Sequence, residues 1–528
     1  MINKNNGVFN GIKKIASRTI YFYPVLLVLY FILHENNAWF GLIPFPVSVK
    51  FAVYYFLFIA MASWGIWYIF KNQAKVILFT TLLVAILLFF GSVQDQAKEL
   101  LPGSFFSKYR FFLIFIPVLI AATLIFLRRS NKQFYRLYQY VQITIGILVI
   151  WELVTLAVNT FSDKTKQNIL FEKSQADRLY NTTRAVNGPN IYFIVFDGFT
   201  SSKCLQEEFS YNNAELDSFL HEKGFYPVTR SRSNYPVTPF SIASTLNFSY
   251  LTSELNNKVL TSQDILKGNQ TVSQSRLIPY LHTRGYQIFN YSVFDLKDYP
   301  ALSRTFFYDM SAKVLIRQTL VRRFYHDIGW NFTNNAFIKN GLLGFLSLYK
   351  QQRSFYLQHY VYENMNGLQS VLSAKQSAPK FVYCHLMLPH APYYFNKDGT
   401  LKDANIPWSP KSAKKDYLNQ LIYSRQLVKQ AINSIFKKDT LNKIIVLQGD
   451  HGFRDYGEPN KTGRYFENLN AIYFYDKNYA ALSDSMTPVN TFRVVLNQYF
   501  QERLKYLPDT SIYVHDPFFD TGQLKKNQ

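Results

Sequence analysis

The sequence predicts an N-terminal bundle of five transmembrane helices, followed by an α/β domain outside the cytoplasm with a mostly parallel central sheet. Three observations predict it. Five apolar runs, nearly free of charge, precede residue 162. Beyond residue 188, near-continuous apolar stretches of strand length alternate with helical patterns. Several of those stretches run into acidic or imidazole residues, and sheets of this kind present their ligands beyond the strand ends.

Composition sets the limits first. At 528 residues there is room for two or three domains. With 48% hydrophobic and only 17% charged residues, disorder is excluded as a description of the chain. Two cysteines rule out a disulfide scaffold and a Cys-based zinc cluster, and leave open whether Cys204 and Cys384 pair. The net charge of +23, from 57 Lys+Arg against 34 Asp+Glu, fits nucleic acid, an anionic membrane or phosphate-bearing ligands. Where the charge sits decides among them.

The apolar runs lie near 19–34, 51–70, 76–93, 111–127 and 140–161, the last carrying only Glu152. A helix needs about 17–25 residues to cross the hydrocarbon of a bilayer. A helix of a soluble domain is rarely apolar on every face. With the N-terminus inside, the inner segments hold Lys4, Lys13, Lys14, Arg18, Lys71, Lys75, Arg128, Arg129, Lys132 and Arg136. The outer loops hold only Lys50, Lys98, Lys108 and Arg110. This is the positive-inside bias, and an odd number of spans then places everything after residue 161 outside. The first run leads into four more with no small-residue cleavage site, so it reads as a span and not as a signal peptide. Membrane lipids are the expected partners. No nucleic-acid motif is present, and oligomeric state is not legible.

The soluble part comes next in order. Residues 162–188 are polar and read as a linker, leaving 1–161 as the membrane domain and 189–528 as the catalytic domain. Strands are predicted at 190–196, 286–291, 381–384, 443–447 and 471–475, where apolar runs are short and rich in β-branched and aromatic residues. Helical patterns lie at 213–223, 240–246, 273–284, 417–436 and 488–501. This alternation implies a sheet covered on both faces. Residues 296–375 break it and read as a helical insertion.

Polar residues at strand ends form a metal-site constellation. Asp197-Gly198 ends the first buried run, and Asp450-His451-Gly452 ends the run KIIVLQG. Two carboxylates and an imidazole suit a divalent metal ion. Turn and cap chemistry explains each pair taken singly, but not their repetition at the ends of matching strands. A nucleophile is expected in YPVTPFSIAS, where Thr238 stands before Pro239 at a helix start. A hydroxyl there feels the positive end of the helix dipole, and a metal lowers its pKa. The competing reading is that Thr238 only caps the helix. Ser241 is the second candidate nucleophile. In HLMLPHAPYYF, His390 is the better functional candidate, and His385 reads as a core residue or a substrate contact. Arg454 is positioned to fork onto an anionic group, or to form a surface ion pair.

The order of these motifs resembles the alkaline-phosphatase/sulfatase superfamily, in its membrane-anchored branch with lipoteichoic acid synthases and phosphoethanolamine transferases. The matching pieces are five apolar runs, IYFIVFDG, YPVTPFSIAS, HLMLPHAPYYF and DHG. The resemblance implies one divalent ion (Mn, Zn or Mg) on Asp197, Thr238, Asp450 and His451. It implies Thr238 as a nucleophile carrying a covalent intermediate, and His390 at the substrate or leaving group. It also implies a bacterial-type cytoplasmic membrane. Departures limit it. The first ligand is Asp where those transferases carry Glu. The C/S-x-P-x-R motif of formylglycine sulfatases is missing, no histidine comes soon after DHG, and no paired Asp comes after the first strand. A second metal and calcium are therefore disfavoured.

The expected activity is transfer or hydrolysis of a phosphate-type ester, as a phospho-headgroup transferase acting on an envelope lipid or glycan. Two alternatives stand beside it. One is a phosphodiesterase, phosphatase or sulfuric-ester hydrolase of the same superfamily; the other is a non-catalytic envelope scaffold.

Overall fold

The computed structural model describes residues 23–132, 134–162, 168–171, 188–303, 310–327, 345–374, 377–402, 412–456 and 459–516. Its backbone divides into two compact units, with boundaries at Gln167/Asn168, Phe307/Tyr308 and Leu346/Ser347.

The first unit begins with helices α1 (Tyr23–Ala38), α2 (Phe45–Phe70), α3 (Gln73–Leu100), α4 (Tyr109–Arg129) and α5 (Tyr135–Phe161). Four of them, α2 to α5, are long and apolar enough to cross a membrane. The first expected span is only partly described: α1 has 16 residues, and the residues before Tyr23 lie outside the described set. Five spans are thus an expectation of which four are seen. The acid in the last run is paired, since His34 Nδ1 lies 2.8 Å from Glu152 Oε1.

The second unit begins with β1 (Asn190–Phe196), α6 (Ser202–Phe209), α7 (Ala214–Glu222), β2 (Tyr226–Pro227), α8 (Thr238–Asn247), α9 (Ser262–Ser273), α10 (Leu277–Thr283) and β3 (Gln287–Tyr291). The chain then supplies α11 (Met310–Ile316) and α12 (Leu320–Asp327) to the first unit. It continues with α13 (Phe345–Ser373), β4 (Lys380–Leu386), α14 (Ala413–Lys438), β5 (Lys443–Gln448), β6 (Asn470–Phe474) and α15 (Thr491–Phe500).

The strand order is β2-β6-β5-β1-β4-β3. Strands β5, β1, β4 and β3 are parallel; β6 and β2 are antiparallel to their neighbours. The sheet is therefore mixed: the expected parallel arrangement holds for β5, β1, β4 and β3, and the pairs β5–β6 and β6–β2 depart from it. A parallel return needs a crossover, usually a helix. Between β5 and β6 the described chain offers only the 3₁₀ segment Pro459–Phe466, so β6 comes back antiparallel.

Alternation along the strands builds two cores. Ile191, Phe193 and Val195 face one layer with α8, α10 and α15. Tyr192, Ile194 and Phe196 face the other with α7, α13 and α14. The helix expected at 273–284 is α10, shorter by a few residues at its start, and a separate helix, α9, precedes it and ends at Ser273. A capping box of Thr261 and Asp264 starts α9 earlier, and α10 begins at Leu277.

The expected insertion at 296–375 is divided. Residues of α13 such as Leu357, Tyr360 and Leu368 belong to the sheet's core. In the first unit, α11 and α12 lie on the bundle: Gly91 N donates to Gln318 O at 2.8 Å, and Arg323 pairs with Asp95. Gly91 permits that approach, because a Cβ there would stand 2.8 Å from Gln318 Cα. The remainder of the expected insertion, and most of the expected linker, lies outside the described residues.

Candidate metal centre

The site forms where β1 is flanked by β4 and β5, both parallel to it. Three strands deliver their C-terminal ends to one edge. Asp197 comes directly after β1, the loop carrying His390 leaves β4, and Asp450-His451 leaves β5 after one glycine. Two glycines make the crossing tight. Gly198 sits at φ +70°, where a side chain is strained. A Cβ on Gly449 would lie 2.3 Å from Phe199 O.

Asp197 and Asp450 are fully buried, and His451 nearly so. Asp450 Oδ1 accepts from the backbone N–H of Gly198 at 2.9 Å and of His451 at 3.0 Å. Its Oδ2 has no hydrogen-bond partner, and neither has Asp197 Oδ1. His451 Nδ1 lies 2.7 Å from Gly452 O. A carbonyl only accepts, so Nδ1 carries the hydrogen and Nε2 presents its lone pair. That lone pair faces Asp197 Oδ1 at 3.4 Å, Asp450 Oδ2 at 3.6 Å and the Thr238 hydroxyl at 3.5 Å. Acceptors facing acceptors in a buried place repel one another unless a cation lies among them.

The electrostatics agree. Burial works to raise the Asp197 carboxyl, but the imidazoles of His390, His385 and His451 outweigh it and hold it below the usual carboxylate range. Burial, then the charge of Asp197, pushes Asp450 up to about 6. Burial, then the Arg454 charge, holds His451 well below the usual imidazole value. Two acids this close cannot both be ionised cheaply without a cation.

Thr238 is the first residue of α8, and Val237 occupies the cap position. The Thr238 hydroxyl is directed away from the helix backbone: it donates to Asp197 Oδ2 at 3.3 Å and lies 3.5 Å from His451 Nε2. Ser241, one turn on, is fully buried and donates to Asp450 O at 2.5 Å, away from the carboxylates. His390 and Arg454 line a small cleft with Gly198, Tyr393 and Tyr417. His390 Nε2 lies 3.0 Å from Arg454 Nη2, so Nε2 accepts. Arg454 is 7% exposed and also faces Asp516 at 3.6 Å, so it is no surface ion pair.

The geometry brings Asp197, Thr238, Asp450, His451, His390 and Arg454 together. Two sets of three ligand atoms lie within 4.8 Å of one another: Asp197, His390 and His451, and Asp197, His385 and Asp450. His385 is fully buried, its Nε2 3.6 Å from Asp197 Oδ2, and it is not among the residues lining the small cleft. Cys204 and Cys384 are both free and buried.

Sequence reasoning missed the supports. Tyr417 donates to Gly198 O at 2.8 Å and accepts from Thr200 N at 3.1 Å. Gln420 donates to His390 O at 2.8 Å. Both sit on α14, where nothing but their helical face marks them.

A protein-family model described as Sulfatase matches residues 189–501, more than half of the chain. The chain belongs to the sulfatase family. Among solved structures it is similar to the C-terminal periplasmic domain of EptC from Escherichia coli in complex with Zn. That match has 14% identity, 66% of this chain and 90% of that one covered, and a TM-score of 0.38. The periplasmic domain of phosphoethanolamine transferase EptC from Campylobacter jejuni matches at 13%, 64% and 95%, with a TM-score of 0.37. The soluble domain of lipooligosaccharide phosphoethanolamine transferase A from Neisseria meningitidis matches at 12%, 59% and 88%, with 0.31. No curated protein matches the chain.

Proposed function

We propose that this protein is a membrane-anchored, metal-dependent enzyme that transfers or hydrolyses a phosphate-type ester through a covalent threonine intermediate. One observation carries the reading. Asp197 Oδ1 and Asp450 Oδ2, both fully buried and without hydrogen-bond partners, face the His451 lone pair beside a helix-start hydroxyl. The residues that would hold a divalent ion are Asp197, Thr238, Asp450 and His451; Mn, Zn and Mg all suit them. Bound there, the ion supplies a lowered hydroxyl pKa and charge for the phosphoryl oxygens.

The chain's own groups do the rest. Thr238 attacks phosphorus, the bond from phosphorus to the donor's leaving oxygen breaks, and the hydroxyl proton, which Asp197 Oδ2 orients at the start, ends on that leaving oxygen. Arg454 takes an anionic oxygen of the substrate, and the N-terminus of α8 adds its dipole. Once Arg454 has turned to the substrate, the His390 Nε2 lone pair that accepts from it is released, and in the second step Nε2 accepts the proton of an incoming hydroxyl or water. That oxygen attacks phosphorus, the bond to Thr238 Oγ1 breaks, and His390 gives the proton back so that the threonine hydroxyl is restored.

Four helices of membrane-crossing length support lipid donors, because an anchored enzyme meets headgroups at high effective concentration. A glycan or lipid of the envelope is the acceptor in this reading. The N-terminus lies inside and the catalytic domain outside a bacterial-type cytoplasmic membrane. The scaffold reading would leave no reason to keep buried, mutually repelling acceptors. The test is kinetic: Thr238→Ala abolishes turnover, Thr238→Ser keeps part of it, and Ser241→Ala keeps most. An active Thr238→Ala enzyme overturns the reading.

A further inference from the structure

His385 is the one imidazole at the site that neither the proposed ligand set nor the proposed steps use. It lies on β4 two residues after Tyr383, so both project from the same face of the strand. Both are fully buried. The Tyr383 hydroxyl lies 2.9 Å from His385 Nδ1. The far ring nitrogen, Nε2, stands 3.6 Å from Asp197 Oδ2 and has no hydrogen-bond partner. Tyr360, from α13, donates to His385 O at 2.6 Å and fixes the backbone below the ring.

The hydrogen count decides the tautomer. A buried phenol must place its proton on an acceptor, and the acceptor within reach of Tyr383 is His385 Nδ1. Nδ1 therefore accepts, and Nε2 carries the hydrogen. Toward the carboxylates His385 presents an N–H, whereas His451 presents a lone pair. A metal ligand needs the lone pair; an N–H can only orient an oxygen.

We propose that His385 is a positioning residue, its tautomer set by Tyr383, that steers Asp197 Oδ2 toward its own N–H and leaves Oδ1 for the ion. The two carboxylate oxygens are already divided in this way. Oδ2 receives the Thr238 hydroxyl at 3.3 Å and faces the His385 ring. Oδ1 has no hydrogen-bond partner and faces His451. Outer partners that orient a ligating group commonly change metal affinity by about 10- to 100-fold when removed.

The inference rests on the metal-centre reading, and the experiment separates the two. Mn²⁺ and Zn²⁺ affinity and stoichiometry are measured on the full-length, detergent-solubilised protein by competition with a chromophoric chelator. Tyr383→Phe fills the same space but frees the imidazole to change tautomer. His385→Gln keeps an N–H donor and removes the ring. We expect one ion per chain in the wild type and in both variants. Affinity should be about 10- to 100-fold weaker in Tyr383→Phe, and less weakened in His385→Gln. Loss of the bound ion in His385→Gln would make the imidazole a ligand and overturn the proposal. Wild-type affinity in both variants would make His385 a core residue and overturn it equally. A wild type that binds no ion would remove the metal centre itself, and this proposal with it. Circular dichroism on each variant confirms that the fold persists.

Discussion

Replacing Asp450 by Asn should stabilise the protein when it is stripped of metal and lose nearly all of that advantage over wild type when metal is present. Asn keeps the shape of the side chain. Its carbonyl oxygen can accept from Gly198 N and His451 N as Oδ1 does now. The charge is what it removes. Burial, then Asp197, raises the Asp450 carboxyl from an ordinary 3.8 to about 6. At roughly 1.4 kcal/mol per decade of proton affinity, keeping it ionised costs the folded state about 3 kcal/mol. The sign comes from linkage. Between about pH 4 and pH 6 the folded wild type retains a proton that the unfolded chain has lost. Its stability therefore falls as pH rises through that window and stays low above it. Asn mimics the protonated acid at every pH. Chelator-stripped Asp450→Asn should thus exceed wild type by about 3 kcal/mol at pH 8 and converge with it near pH 4. Adding the ion at about 100 times its dissociation constant should raise wild-type stability by roughly 2.7 kcal/mol and leave the variant unmoved. Chemical denaturation of the solubilised protein at the two pH values, with and without Mn²⁺ or Zn²⁺, reads all four numbers. A stripped variant weaker than wild type at pH 8, or one that metal still stabilises, would refute the reasoning.

Further predictions concern the other links. The Thr238 hydroxyl bonds to Asp197 and faces His451, not the helix backbone, so Thr238→Ala should change stability by under about 1 kcal/mol by thermal unfolding; a loss near 2 kcal/mol would mean the hydroxyl serves the helix after all. Gly91→Ala puts a Cβ 2.8 Å from Gln318 Cα, which must shift α12 or α3. Hydrogen exchange over residues 310–327 should rise in that variant, and unchanged protection would show that the approach is not tight. A reporter fused after residue 165 should be active only outside the cytoplasm; activity inside would overturn the topology read from the charge bias.

Much of this site was legible because the chemistry sits at strand ends. A run such as IYFIVF reads as a strand buried on both faces, and the residues just past such a strand land at one edge of the sheet. Asp197, Asp450 and His451 needed no more than that. The tautomers were not legible, since they depend on Gly452 O and on Tyr383, partners that no periodicity exposes. The antiparallel edge was missed for a related reason: β2 is two residues long, and the direction of β6 is set by a connection that carries no crossover helix among the described residues. The insertion near 296–375 read as helical, but its division between the two units depends on contacts such as Gly91 with Gln318. Thr238 was legible as a helix start because Pro favours the first turn. Only the fold reveals that the hydroxyl faces Asp197 instead of the helix.

The most direct test of the central claim is the mass of Thr238 itself. The full-length protein is purified from its own membrane, acid-quenched, digested and mapped by mass spectrometry. A covalent threonine intermediate predicts a phosphate-type adduct on the peptide containing Thr238, absent from Thr238→Ala, with the adduct mass identifying the transferred group. An unmodified Thr238 in an enzyme that turns over with a trapped adduct on Ser241, or on any other residue, would contradict it.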